Sequence, residues 1–182
     1  DRAMQTLCVG QGAMVGVLLG MGFLHSFENQ LVFQAGPLLC AFLLSALTFL
    51  VTDKFVAERA ASKNTHFAFV FALLMASGSL VSSLFPALES HMAQVYFGDL
   101  ATLSVSDSQF AVVGSTICLL LLIALNKTIS NQSFESAVFG NLISTQSSAL
   151  GHYGFKFITL LILCFSVQFV GFLFTVALLF LP

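Results

Sequence analysis

What most limits the fold of this chain is a series of long, nearly uncharged apolar runs, at about residues 5–24, 31–52, 65–85, 109–125 and 155–181. Runs of roughly 20 apolar residues cross a bilayer as helices, because in lipid every backbone N–H and C=O must be satisfied within its own segment. A lipid-facing barrel strand would alternate apolar and polar side chains, and these runs do not. The 182 residues are 58% hydrophobic and 8% charged, with a mean hydropathy of +0.98, whereas soluble domains carry roughly 25% charged residues. The expectation is an all-α, polytopic membrane bundle in which residues 1–182 form one transmembrane domain. It has about five spanning helices, a short interfacial helix over residues 88–108 outside the membrane, and a further short helix on the cytoplasmic side.

A net charge of −2 and the lack of any Lys/Arg block exclude a nucleic-acid partner. Cys8, Cys40, Cys118 and Cys164 fall in separate apolar runs without a Cys-x-x-Cys pair, which is the pattern of buried packing residues. Asn126-Lys127-Thr128 and Asn131-Gln132-Ser133 fit the glycosylation pattern, but both lie on the face assigned below to the cytoplasm. The chain begins on Asp1 with no basic segment leading into a cleavage site, so the expectation is of a shortened N-terminus.

The first run carries Gly12, Gly16 and Gly20 at four-residue spacing. Small residues at that interval let helix backbones approach closely, where dispersion replaces the missing hydrophobic force, so this run reads as an interior helix. The last run, 27 residues, would be roughly 40 Å long as one helix against a hydrocarbon core of about 30 Å. It must tilt or break, and Gln168 with Gly171 is the place. Gln168 could face another helix or a pore.

Orientation follows from the basic residues. With five crossings, the N-terminus, residues 53–64 and residues 126–154 share one face, and all six basic residues (Arg2, Lys54, Arg59, Lys63, Lys127, Lys156) fall there. The positive-inside rule makes that face cytoplasmic. The opposite face carries Glu28, Glu89, Asp99 and Asp107, with His25 and His91, and an acidic mouth concentrates cations. His25, Glu28, Glu89, His91 and Asp99 are candidates for a loose metal relay at that mouth, although ordinary solvated loop charge is an equal reading of the same residues. His66 and His152, beside apolar runs on the inner face, read as interfacial residues.

The polar island at residues 126–154 is too polar for hydrocarbon yet lies between two apolar runs, so it must surface. Within it Phe134, Glu135, Ser136, Val138, Phe139 and Gly140 suit a short amphipathic helix that presses aromatics into a partner's groove. A helix lying on lipid headgroups is the alternative.

Several stretches resemble the permeases of the ABC importer family for zinc, manganese and iron. The segment from Asn131 to Gly140 looks like its cytoplasmic coupling segment, roughly Asp-Pro-Glu-Phe-Ala-Arg-Ala-Leu-Gly, with Asn131 at the Asp and Ser136 near the Arg. Met92-Ala93-Gln94-Val95-Tyr96-Phe97-Gly98-Asp99-Leu100, followed by Ser104-Val105-Ser106-Asp107, is similar to the family's Leu-Phe-Gly-Asp/Ser-Ile-Leu…Val-Ser-x-x-Asp element. Residues 71–81 and 170–182 are similar to its Ala-Leu-Gly-Leu-Val and Val-Gly-x-Leu-Leu-Val-x-Ala-Leu-Leu-Ile-x-Pro helices. The resemblance implies a multi-pass protein of the bacterial inner membrane. It also implies a homodimer bound to a cytoplasmic ABC ATPase, fed by an extracytoplasmic metal-binding protein, and surrounded by lipid.

Set against the family, the chain lacks the first helix and everything after the conserved Pro. It departs also in its first run. The family's Gly-Asp-Ala-x-Ser-His-Ala motif places Asp and His four apart on one helical face, suited to a divalent metal. Val9 and Ala13 stand in those places here. A divalent-metal permease is the leading expectation, and a degenerate paralogue that moves another solute, or none, is the alternative. No catalytic residue and no cofactor are expected, the metal being cargo. ATP hydrolysis belongs to a partner, since there is no Gly-x-x-x-x-Gly-Lys-Ser/Thr loop. An intramembrane protease is disfavoured: there is no His-Glu-x-x-His, and Phe97-Gly98-Asp99 lacks the preceding Gly of aspartyl sites.

Overall fold

The computed structural model describes residues 2–24, 30–58, 63–88, 93, 95–98, 105–139 and 149–180. Within them the chain is helical throughout: α1 (Arg2–Leu24), α2 (Gln30–Glu58), α3 (Lys63–Leu84), a 3₁₀ turn (Pro86–Leu88), α4 (Val105–Phe139), α5 (Ala149–Val170) and α6 (Phe172–Phe180). Three described stretches are long and apolar enough to span a membrane, Met4–Phe23, Ala35–Asp53 and Asn64–Leu84. The apolar parts of α4 and α5, Ser108–Ala124 and Phe157–Val170, are shorter. The all-α membrane bundle expected from the apolar runs is therefore the observed class.

α1 is the interior helix. Two-thirds of its apolar window is buried, against 28% for α2 and 17% for α3. Its glycines are the cause. A methyl on Gly12 would stand 2.5 Å from Thr48 Oγ1, one on Gly16 2.5 Å from Ala41 Cα, and one on Gly20 2.5 Å from Pro37 Cα. Contacts at 48, 41 and 37 against 12, 16 and 20 run α2 antiparallel to α1, backbone on backbone. Pro37 is buried at this seam without ending α2. Ser45, Thr48 and Thr52 also face inward, each hydroxyl donating to a carbonyl of its own helix, to Phe42, Leu44 and Thr48 at 2.8 to 3.0 Å. Their polarity is thus satisfied locally and costs the interface little.

The outer faces are apolar. On α2 the side chains of Leu39, Leu43, Leu47 and Leu50 are exposed, and on α3 those of Phe69, Leu73, Leu80 and Leu84. In lipid such faces carry no hydrophobic penalty, because acyl chains are as apolar as leucine.

Element ends differ from the hydropathy reading. α2 continues past Thr52 through Asp53 to Glu58, which shortens the basic loop. The larger correction concerns α4, for which the apolar run gives residues 109–125. The helix has 35 residues and is roughly 52 Å long, so it carries the first part of the polar island as its own continuation and not as a separate short helix. Loss of hydropathy marks where lipid ends, whereas helical hydrogen bonding continues into Ser-, Asn- and Glu-bearing turns without difficulty.

Gly16→Val is expected to wedge α1 from α2 and to destabilise the bundle by roughly 1–3 kcal/mol. Leu43→Ala on the exposed face should leave the detergent-phase melting temperature nearly unchanged. Comparative thermal unfolding of the two variants checks this, and equal losses would contradict the seam.

Candidate functional site

The apolar run at residues 155–181 is not one helix. At Gly171 the backbone adopts φ +95°, a conformation L side chains rarely take, and α5 gives way to α6. The hydroxyls of Ser166 and Thr175, nine residues apart, meet at 2.8 Å. In a continuous helix residues at that separation lie about 13.5 Å apart along the axis, so α6 folds back against α5. Thr175 fixes the bend, with its N–H and its hydroxyl both donating to the Gly171 carbonyl, at 3.0 and 2.7 Å. Gln168, half-buried, lies three residues before the bend.

The bend is covered by the short helical turn Val95, Tyr96, Phe97 and by Gly98, the second glycine with positive φ, +75°. The two glycines touch backbone to backbone. A methyl on Gly171 would lie 2.7 Å from Gly98 Cα, and one on Gly98 would run into the Val170 carbonyl. Around this contact the Tyr96 ring stands edge-on to Phe172, with centroids 6.4 Å apart. The Phe172 ring in turn fills the space a Gly10 side chain would need, at 3.1 Å. The Tyr-Phe-Gly motif, the bend and α1 therefore form one packed unit.

Beside that unit is a polar cluster between α1 and α3. Gln11 is fully buried. Its Nε2 donates to the Met75 thioether at 3.0 Å, and the Tyr96 hydroxyl donates to the same sulfur at 3.8 Å. Gln11 Oε1 has no hydrogen-bond partner among the described residues. A buried amide oxygen left unpaired costs about 1–3 kcal/mol, and sulfur is a weak acceptor for the other half of the amide. The first-run glycines drew the sequence reading toward packing, and Gln11 was not singled out. The criterion applied to Gln168, a polar side chain in the middle of an apolar run, would have found it.

The expected sites are placed as follows. His25, Glu28, Glu89, His91 and Asp99 lie outside the described residues, as does Gly140. Phe134, Glu135, Ser136, Val138 and Phe139 sit on the last turns of α4, where the helical backbone alone is described. Gly12, Gly16 and Gly20 form the α1–α2 seam, and Gly171 the bend. His66 is exposed at the start of α3. The family's Asp and His positions, Val9 and Ala13, are both buried, at 3% and 0% exposure. Among the described residues no three His, Cys, Asp or Glu side chains come together to hold a metal ion.

A helical membrane subunit with a glycine-seamed interior helix and a folded-back helix pair is the class these features define. A family model describing the ABC 3 transport family matches residues 9–182. The chain belongs to that family, the metal ABC transporter permeases, which are transport subunits and not the catalytic ones. Comparisons with curated proteins and with solved structures find no match.

Gly98→Ala and Gly171→Ala should each destabilise the chain by about 1–3 kcal/mol, through left-handed backbone strain and through collision with the facing strand of backbone. The double variant should cost clearly less than the sum of the singles, because both break one contact. Unfolding in a denaturing detergent series measures the coupling, and strict additivity would mean that the two glycines act separately.

Proposed function

We propose that this chain is the membrane-spanning permease subunit of an ABC importer for divalent metal ions such as zinc, manganese or iron. It works as a homodimer by alternating access. Membership of the metal permease family along residues 9–182 is the observation that carries the reading. ATP is hydrolysed on a cytoplasmic ABC ATPase, which grips the chain at residues 126–154, with Phe134, Glu135, Ser136, Val138, Phe139 and Gly140 as the coupling surface. An extracytoplasmic binding protein delivers the ion to the acidic mouth, where His25, Glu28, Glu89, His91 and Asp99 relay it inward. Residues 53–64 and the N-terminus share the cytoplasmic face of the bacterial inner membrane.

α4 supports the coupling role in a particular way. A helix of roughly 52 Å outreaches a hydrocarbon core of about 30 Å, so its polar end stands clear of lipid as a rigid lever. Force applied at residues 131–139 would travel along hydrogen-bonded backbone and not through a slack loop.

A second reading is favoured by a specific observation. Val9 and Ala13, sealed in the core, occupy the places of the family's Asp and His. A paralogue that keeps scaffold and dock while handling another solute, or none, fits that substitution.

Two measurements test these readings. In liposomes that contain the chain, its ATPase and its binding protein, zinc or manganese should stimulate ATP hydrolysis severalfold, and an unresponsive ATPase would favour the second reading. A cysteine placed at Ser136 should resist an impermeant thiol reagent added outside intact cells and react in inverted vesicles. Labelling from outside would invert the topology and remove the docking role.

A further inference from the structure

The polar cluster between α1 and α3 has the makings of a binding site. Gln11 and Met14 are three residues apart on α1, as Met75 and Gly78 are on α3, so each pair shares a helical face. The faces meet: Gln11 bonds to Met75, and a methyl on Gly78 would lie 3.2 Å from Met14 Cε and 3.9 Å from the Tyr96 hydroxyl. Two thioethers, one amide and one phenol therefore converge at the spot that Gly78 leaves open. Met14 and Gln11 are fully buried, whereas Met75 is 39% exposed, which gives the cluster an opening on the α3 side.

The donor set defines the ligand. All four groups are neutral, and they sit beside a helix that spans the membrane, where charge is expensive. A monovalent cation suits neutral donors there better than a divalent one. Thioether sulfur is a soft donor that selects Cu(I) over zinc, manganese or magnesium. Ligand atoms around an ion with metal–ligand bonds of about 2.0–2.3 Å lie roughly 3–4 Å from one another. The separations of 3.0 Å from the Gln11 amide to Met75 Sδ and 3.8 Å from Tyr96 to Met75 Sδ already fall in that range. Oxygen and nitrogen of an amide are assigned from hydrogen bonding, and a half-turn of the Gln11 amide puts its oxygen beside the sulfur. The unpaired Oε1 then gains a partner it otherwise lacks.

We propose that Met14, Met75, Gln11 and Tyr96 form an intramembrane site for a soft monovalent cation, Cu(I) or its analogue Ag(I). The proposal rests on the permease reading only in making this ion a candidate cargo. Binding itself needs neither ATPase nor binding protein.

The test uses the full chain in detergent with its methionine methyl groups labelled with ¹³C, titrated with Ag(I). Five methionines give five resonances, which Met→Leu variants assign. Ag(I) should shift the Met14 and Met75 methyls and leave Met4, Met21 and Met92 in place, and silver held by a cysteine thiol would move neither of the first two. Zn(II) and Mn(II) should shift none. Gln11→Leu should weaken the Ag(I) response at least about tenfold while the spectrum stays dispersed. Unmoved Met14 and Met75 resonances, equal shifts at all five, or a Gln11→Leu titration that matches the parent chain would each overturn the site. Because no ATP hydrolysis is read, this outcome is independent of the liposome result.

Discussion

Close backbone approach at glycine is the interaction on which the rest of the structure depends. Lipid supplies no hydrophobic drive between helices, so an interface must come from dispersion over a surface that side chains do not hold apart. α1 meets that need with glycines at four-residue spacing against Thr48, Ala41 and Pro37 of α2. The same residues fix the depth of α1, because a helix that admits a partner's backbone on one face is enclosed by the others. α3, α5 and α6 all pack on what remains of its surface. α2 and α3, whose outer faces bear leucine and phenylalanine, are left toward lipid.

A second glycine contact does for the chain's later part what the seam does for its start. Gly98 and Gly171, both at positive φ, bring the Tyr96-Phe97-Gly98 turn against the bend between α5 and α6. Ser166 and Thr175 keep the bend closed, and Phe172 reaches from it to Gly10 on α1. The two contacts are thus joined through one aromatic ring. Tyr96 rests on Phe172 and reaches Met75 with its hydroxyl, so the position of the polar cluster is set by the same packing. Movement of α6 relative to α5 would be felt at Gln11 without any charged residue in between.

The sequence made the class of fold legible through the apolar runs, and α1's interior place through the glycine spacing. Helix ends were less legible, for a physical reason. Hydropathy reports the lipid boundary, whereas α4 goes on for turns beyond Leu125 because Asn, Ser and Glu are acceptable to a helix in water. The length of the last run indicated a break near Gly171, but nothing in that length says that α6 turns back. That follows from pairing Ser166 with Thr175, a contact between two common residues with no motif of its own. Gln11 was overlooked because the glycines around it explained the run already. The acidic mouth and the side chains of the coupling surface were legible only as composition, since their function depends on mutual geometry that residue spacing does not specify.

The substitution that most separates this chain from its family changes how the interior handles charge. An Asp and a His on one helical face would attract a divalent ion but would leave a carboxylate to be stabilised within the bundle. Val9 and Ala13 remove that cost and bury without difficulty. What is left facing α3 from the same helix is an amide and a thioether, which bear no net charge in any protonation state near neutral pH. A permease interior of that kind discriminates by polarisability and hydrogen-bonding capacity more than by electrostatic attraction. The acidic mouth and the neutral interior would then act in series, the first concentrating cations of every type and the second admitting those that tolerate sulfur and amide ligands.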